Sequence, residues 1–287
     1  MKFGQFEIRS FVEQRFKLDG GSMFGVIPKS LWQRLIPADE NNLIPMVTNI
    51  FVLRANGKTI MFDAGLGDTL TDREKKVYGT DGRSALASGL AGLGLTADDI
   101  DLVILTHLHT DHAGGAVVYE DGRYVPRFKK ARYVLSEREW EVATKPNERT
   151  AAVYVPERLR PLREAGLVDF VTSDTELFPG IKAVQTGGHT EAHFALEIES
   201  EGEQVFYYAD IFCTSAHMRV AFVPATDLFP LETMEIKRQA LPRIVDTGVV
   251  MAFDHDTTMA LATLHKDGKN IVARAVKAET MTEHANR

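Results

Sequence analysis

Residues 106–115 read Thr-His-Leu-His-Thr-Asp-His-Ala-Gly-Gly. Four side chains within six residues, His107, His109, Asp111 and His112, are of types that ligate metal ions. The apolar run Leu102-Val103-Ile104-Leu105 leads directly into them, and Gly114 and Gly115 lead out. A short continuous apolar run of this kind reads as a buried strand. A strand that empties into imidazoles and a carboxylate builds a poor core. It is a good way to hold metal at the end of a sheet.

Working outward, Val47 to Arg54 and Thr59 to Phe62 are β-rich runs around Asn56-Gly57, a strong hairpin signal. The second run ends in Asp63-Ala64-Gly65, where the acid serves as a turn device or as an acceptor that steadies a ligand. Residues 84–94 read as a helix, and Thr96 with Asp99 resembles a capping box before the strand 101–105. A helix or turn is expected after Gly115, then a small turn around Asp121-Gly122. Residues 131–135 read as a strand and 136–143 as a helix, with Ser136 as N-cap and Glu139 three residues on. Pro146, Pro156 and Pro161 mark a short-helix insertion, about 136–166 in all. Strands follow at 168–171 and 181–185, then a hairpin about Glu201-Gly202, a helix at 231–244, a strand at 249–253 and a hairpin about Asp267-Gly268. At the N-terminus, residues 3–17 alternate loosely as a first strand. Residues 20–46 are an irregular flap carrying Leu31, Trp32, Leu35 and Ile36, suited to core packing, a pocket wall or a homodimer contact. No repeat or linker interrupts the chain, which reads as a single domain over 1–287.

Four strands end in a metal-capable residue: 101–105 at the His107 cluster, 181–185 at His189, 204–208 at Asp210 and 249–253 at His255. Ligand sites of layered α/β folds lie beyond strand ends, so the four are expected to converge. His107, His109, Asp111, His112, His189, Asp210 and His255 suit two zinc-like ions, with iron or manganese also compatible. The His107/His109 pair is expected on one ion, Asp111-His112 toward the second, and Asp210 between them. Two such ions share a hydroxide and polarise a carbonyl or phosphoryl oxygen. His193 is expected to steady or pack. His217, soon after Asp210, is a candidate to reach substrate. His265 and His284 are expected to be exposed.

Composition narrows the partners. The formal net charge of -7 argues against nucleic acid, which selects a basic face. The cluster Arg127, Lys129, Lys130 and Arg132 reads as a solvated strand edge. With one cysteine, Cys213, no intrachain disulfide forms. No signal-peptide pattern or membrane-length apolar run is present, so a cytoplasmic protein acting on a small molecule is expected, without a membrane partner.

The His107-x-His109-x-Asp111-His112 pattern resembles the HxHxDH motif of the metallo-β-lactamase superfamily. Further ligands correspond to His189 in Thr-Gly-Gly-His-Thr, Asp210 in Tyr-Tyr-Ala-Asp and His255 in Phe-Asp-His-Asp; Asp63-Ala64-Gly65 resembles its early D-x-G turn. The resemblance spans residues 63–255. It implies an α/β fold, an αββα sandwich of two mixed sheets packed face to face with helices outside, and a dinuclear site at one edge. The layout, including residues 20–29, looks most like the branch of lactonases and methyl-parathion-hydrolase-like proteins. That implies a dinuclear hydrolase whose bridging hydroxide opens a lactone or cleaves a related ester, with Asp111 passing a proton to the leaving oxygen. Quorum-quenching lactonases carry a tyrosine three residues after the bridging aspartate, and this chain has Cys213 there. Cys213 and Phe24 are candidates for substrate contact, and His217 for a catalytic polar group. The alternatives are an organophosphate or aryl-ester hydrolase, a glyoxalase-II-like thioesterase and a non-catalytic metal-binding sensor. The thioesterase reading wants a basic helical C-terminus, whereas residues 278–287 are short and mixed.

Overall fold

The run Ile50-Phe51-Val52-Leu53 is apolar on both faces of its strand, and all four residues are buried. Such a strand needs cover on each side. The computed structural model, which describes residues 1–276, supplies both covers. Phe51 and Leu53 pack inward with Ile60, Phe62 and Ile104 against Leu196, Ile198, Val205 and Tyr207 of a second sheet. Ile50 and Val52 pack outward with Met61, Val103 and Tyr133 beneath Leu86, Leu90, Trp140, Leu159 and Leu162 of the helical layer. On the far side, Phe206, Tyr208, Met251 and Leu264 are covered by Ala240 and Ile244 of the helix Pro230–Ile244. The layers therefore run helix, sheet, sheet, helix. Each fully buried side chain of this size contributes about 1.5–3 kcal/mol.

Each sheet has seven strands. The first runs Lys2–Phe3, Phe6–Asp19, Leu43–Ala55, Lys58–Phe62, Leu102–Ile104, Arg132–Ser136, Val168–Val171 in spatial order. Its first four strands are antiparallel and the rest parallel. The second runs Thr175–Phe178, Ile181–Gln185, Phe194–Ser200, Glu203–Tyr207, Val250–Ala252, Leu261–Asp267, Asn270–Ala275. Only the pairing of Glu203–Tyr207 with Val250–Ala252 is parallel there. Parallel register places the ends of Lys58–Phe62 and Leu102–Ile104 side by side, and likewise those of Glu203–Tyr207 and Val250–Ala252. Asp63, the His107 loop, Asp210 and His255 follow these four ends.

The sandwich and most strands match the sequence expectation. Other elements differ, among them the helix Asp72–Val77, where no helix was expected. Residues 117–126 form a two-stranded hairpin, Val117–Glu120 with Arg123–Pro126, where only a turn was expected. Thr175–Phe178 is a further edge strand whose polar, mixed composition carries no clear signal. The tail from Ala278, with His284, lies outside the described residues.

The two glycines after the motif have a steric reason. A Cβ on Gly115 would lie 2.0 Å from the Ala64 carbonyl oxygen, and one on Gly114 would lie 2.3 Å from that of Leu66. The loop after Lys58–Phe62 thus lies directly on the backbone of the histidine loop, joined by Ala64 N–H to His112 O (2.6 Å) and Gly115 N–H to Gly65 O (2.9 Å).

Candidate metal centre

Two groups of buried donors face each other around one carboxylate. His107, His109, His189 and Asp210 form the first; His112, Asp210, Asp254 and His255 form the second. Within each group, one donor atom per residue lies within 4.8 Å of all the others. Asp210 belongs to both. Its Oδ2 lies 2.9 Å from His189 Nε2 and 3.9 Å from His107 Nε2, while Oδ1 lies 3.2 Å from His255 Nε2 and 3.5 Å from His112 Nε2. The backbone aims it there: Ala209, just before it, has φ 42, a left-handed conformation that alanine rarely adopts. Strain of this kind collects at functional sites.

The opposite ring nitrogens are held from behind. His112 Nδ1 lies 2.9 Å from Asp63 Oδ2, His189 Nδ1 2.8 Å from Asp227 Oδ1, His255 Nδ1 2.8 Å from the Val47 carbonyl and His107 Nδ1 3.1 Å from Thr106 Oγ1. Such outer contacts orient imidazoles that ligate metals. His109 is turned the other way, with Nδ1 3.0 Å from His189 Nε2. Among the described residues, the inward atoms His107 Nε2, Asp210 Oδ1 and Asp254 Oδ2 are buried and have no hydrogen-bond partner. Orphaned polar atoms are costly, and three in one cluster are accounted for by cations shared between them. The donor set of imidazoles and carboxylates fits two divalent ions.

Electrostatics agree with a site built for positive charge. Burial pushes His107 and His109 well below the usual imidazole range, reinforced by neighbouring histidines. Burial also opposes charge on His189 and His255, but carboxylates outweigh it. Asp210 and Asp227 hold His189 up at about 10, and Asp254 and Asp210 hold His255 up at about 9. Burial, with Asp210 adding repulsion, holds Asp254 up at about 7.

The structure places the other candidate side chains as follows. Asp111, on the first turn of Thr110–Ala113, stands at the rim of the second group, its Oδ2 3.7 Å from His255 Nε2 and its side chain 12% exposed. Asp254 stands within that group instead, 3.5 Å from His255 Nε2 and 3.9 Å from His112 Nε2. His217 is fully buried with both nitrogens engaged, Nδ1 at 2.8 Å from Thr214 Oγ1 and Nε2 at 2.9 Å from the Met23 carbonyl. No nitrogen is left for a substrate. Phe24 is stacked between His217 (4.6 Å) and Trp32 (5.3 Å) and has no exposed surface. Cys213 is buried in the same cluster, its thiol turned 3.3 Å from the Asp210 carbonyl. These three residues are a packed floor, fastened by the buried Lys237 ammonium, which donates to the carbonyls of His217 (2.9 Å) and Phe222 (2.6 Å). Of the remaining histidines, His193 is buried with Nδ1 2.6 Å from Thr186 Oγ1 and its ring 5.2 Å from that of His107. His265, expected to be exposed, is half-buried and bonded to Thr263 Oγ1 (2.9 Å).

Two supporting carboxylates have no readable sequence signal. Asp227, which also accepts from Thr233 Oγ1, sits in an unremarkable loop. Glu139 looks like half of a capping box. Ser136 does accept from its backbone N–H (3.3 Å), but the Glu139 carboxylate turns inward. It accepts from Leu108 N–H (3.2 Å), the Tyr154 hydroxyl (2.7 Å) and the Thr190 hydroxyl (2.7 Å). It therefore joins the His107–His109 loop, the helical insertion and the His189 loop. Glu139→Ala leaves three buried donors without an acceptor, at about 1–3 kcal/mol each. A destabilisation of roughly 3 kcal/mol or more is expected in urea unfolding. A change below about 1 kcal/mol, the size of one ordinary hydrogen bond, would show that the three contacts are dispensable.

Comparison with known proteins agrees with this geometry. The Metallo-beta-lactamase superfamily profile matches residues 43–258. The N-acyl homoserine lactonase AiiB of Agrobacterium fabrum is 25% identical over 203 residues, 63% of this chain and 68% of that protein. An N-acyl homoserine lactonase of Bacillus cereus is 25% identical over 170 residues, 56% of this chain and 61% of its own length. Among solved structures, a probable metal-dependent hydrolase from Staphylococcus aureus is 32% identical, with a TM-score of 0.89 over 98% of this chain and 100% of that one. The dizinc quorum-quenching lactonase AidC shares the fold, with a TM-score of 0.81 at 17% identity over 98% of this chain and 97% of that one. With its αββα layers, its strand-end histidines and this profile match over most of its length, the chain belongs to the metallo-β-lactamase superfamily.

Proposed function

We propose that this protein is a hydrolase that holds two divalent ions, zinc foremost, and opens a lactone or cleaves a related carboxylic ester. The observation that carries the reading is Asp210, buried, with one oxygen turned to each of two imidazole-rich groups. His107, His109 and His189 would hold one ion, His112 and His255 with Asp254 or Asp111 the other, and Asp210 both. When bound, two such ions acidify a water near neutral pH and polarise the oxygen under attack. The chain's own side chains do the rest. Asp63, Asp227 and the Val47 carbonyl fix the imidazole orientations. Asp111, at the rim and partly exposed, would carry a proton on its carboxylate to the leaving oxygen. The lactonase relatives at 25% identity favour a cyclic ester over other substrates.

The test pairs metal analysis with a substrate panel of acyl lactones of graded chain length, p-nitrophenyl esters, a phosphotriester and a thioester. Two ions per chain and turnover fastest on a lactone are expected. Two ions with no turnover on any of the four classes would sink the enzyme reading and favour a metal-binding sensor. Fastest turnover on the phosphotriester or thioester would move the substrate assignment while keeping the hydrolase.

A further inference from the structure

Asp254 stands directly before His255, and its direction is fixed from the other sheet by Asn49 of the strand Leu43–Ala55. The Asn49 backbone N–H donates to the Asp254 carbonyl (2.7 Å), and the Asn49 amide donates to the carbonyls of Phe253 and Asp256 (2.9 Å each). Three bonds from one residue thus hold the loop that follows Val250–Ala252. The same strand holds His255 through the Val47 carbonyl. Within the Asp254 carboxylate the two oxygens differ. Oδ1 accepts from the His255 N–H (3.1 Å). Oδ2 has no hydrogen-bond partner among the described residues, although the residue is only 3% exposed.

A buried carboxylate oxygen is costly without a counter-charge. The basic groups facing Oδ2 are His255 Nε2 (3.5 Å) and His112 Nε2 (3.9 Å), and both are also turned to Asp210. Among the described residues no lysine or arginine pairs with it. The two donor groups therefore differ in composition. The first has three imidazoles and one carboxylate. The second has two imidazoles and two carboxylates, with Asp111 Oδ2 at its edge, 3.7 Å from His255 Nε2. Imidazole suits zinc, whereas carboxylate oxygen suits a harder ion such as manganese.

We propose that Asp254 is itself a ligand of the second ion through Oδ2, and that the carboxylate-rich set it completes makes the preference for zinc over manganese smaller at that position than at the first. Asp111 then stays at the rim. This rests on the two-ion part of the hydrolase reading above.

The test loads metal-free protein with one equivalent of zinc and then titrates manganese. Bound manganese is read by electron paramagnetic resonance, and both metals by elemental analysis after dialysis. One zinc and one manganese per chain are expected in the parent. Asp254→Asn keeps the shape and removes the charge. It is expected to keep the zinc and to bind manganese more weakly, by at least the roughly 10- to 100-fold that loss of a merely orienting group costs. Titrating zinc at the second position should show a smaller loss. The metal-free variant should unfold at the parent's temperature or above it, because an unpaired buried charge is gone. Unchanged manganese affinity in Asp254→Asn overturns the proposal and marks Asp254 as a neutral acid beside Asp210, with the two-ion reading intact. A lower unfolding temperature of the metal-free variant assigns Asp254 to packing and also overturns it. A loss for zinc as large as that for manganese, or a parent that takes no manganese beside its zinc, overturns the preference. A parent that holds two ions and turns over nothing removes the hydrolase reading and leaves this proposal standing, because no substrate enters the measurement.

Discussion

Asp210→Ala is expected to empty both metal positions and abolish turnover. Among the described residues, the carboxylate is the only one common to the two groups, with Oδ2 against His189 and Oδ1 against His255. Its loss removes a charged donor from each ion at once. It also leaves His112, His189 and His255 buried around a space with less negative charge, although Asp210 is among the groups that favour charge on each. Mutating a group that merely orients a ligand typically costs 10- to 100-fold in metal affinity or activity. A donor shared by both ions should exceed that range, leaving well under roughly one hundredth of the parent's kcat/KM. Metal analysis after dialysis, beside kinetics on the same preparation, is the measurement. Two ions per chain retained in Asp210→Ala would refute the bridging assignment. Asp210→Asn keeps the shape and halves the donor capacity, and is expected to fall between parent and alanine variant.

The second large effect is expected at Asp63. Its buried carboxylate collects Thr106 N–H (2.8 Å), the Thr106 hydroxyl (2.9 Å), the Tyr207 hydroxyl (2.6 Å) and His112 Nδ1 (2.9 Å). These partners come from the histidine loop of one sheet and from the facing strand of the other. Asp63→Ala leaves four donors buried without an acceptor, at about 1–3 kcal/mol each. It also places alanine at φ 52, a left-handed conformation that aspartate tolerates better. A loss of roughly 4 kcal/mol or more is expected, a large share of the 5–15 kcal/mol typical of a folded domain. Urea unfolding of the metal-free protein isolates this term from metal binding. Metal titration of Asp63→Asn reads the other consequence, a roughly 10- to 100-fold weaker affinity as His112 loses its orienting acceptor. Parent-like stability in Asp63→Ala would show that the carboxylate is not the joint between the sheets.

How much of this is legible in the chain depends on the range of the interaction. The Asn56-Gly57 hairpin, the Thr96–Asp99 capping box and the Ser136 cap are local, and each forms where its residues stand. The histidine spacing is local as well, and five imidazoles do meet. His217 shows where local reasoning stops. Seven residues after Asp210 it looked near enough to serve substrate, but direction is set by the short turns between, which point its ring at Met23 and Phe24. Glu139 fails in the opposite sense. Its sequence position matches a surface cap, and only the approach of the Leu108, Tyr154 and Thr190 donors makes an inward carboxylate favourable.

By itself, then, the sequence determined most of the strands and hairpins, the family pattern and the residue types around the metal centre. These follow from periodicity and from donor chemistry, which are properties of neighbours in the chain. Only the tertiary structure decided that Asp210 divides its oxygens between two groups, that Asp254 stands inside the second while Asp111 waits at its rim, and that Cys213 and Phe24 are sealed in the floor. Those outcomes depend on how two sheets settle face to face. Packing selects one orientation for each side chain at a strand end, even forcing Ala209 into a left-handed turn, and no local spacing records that choice.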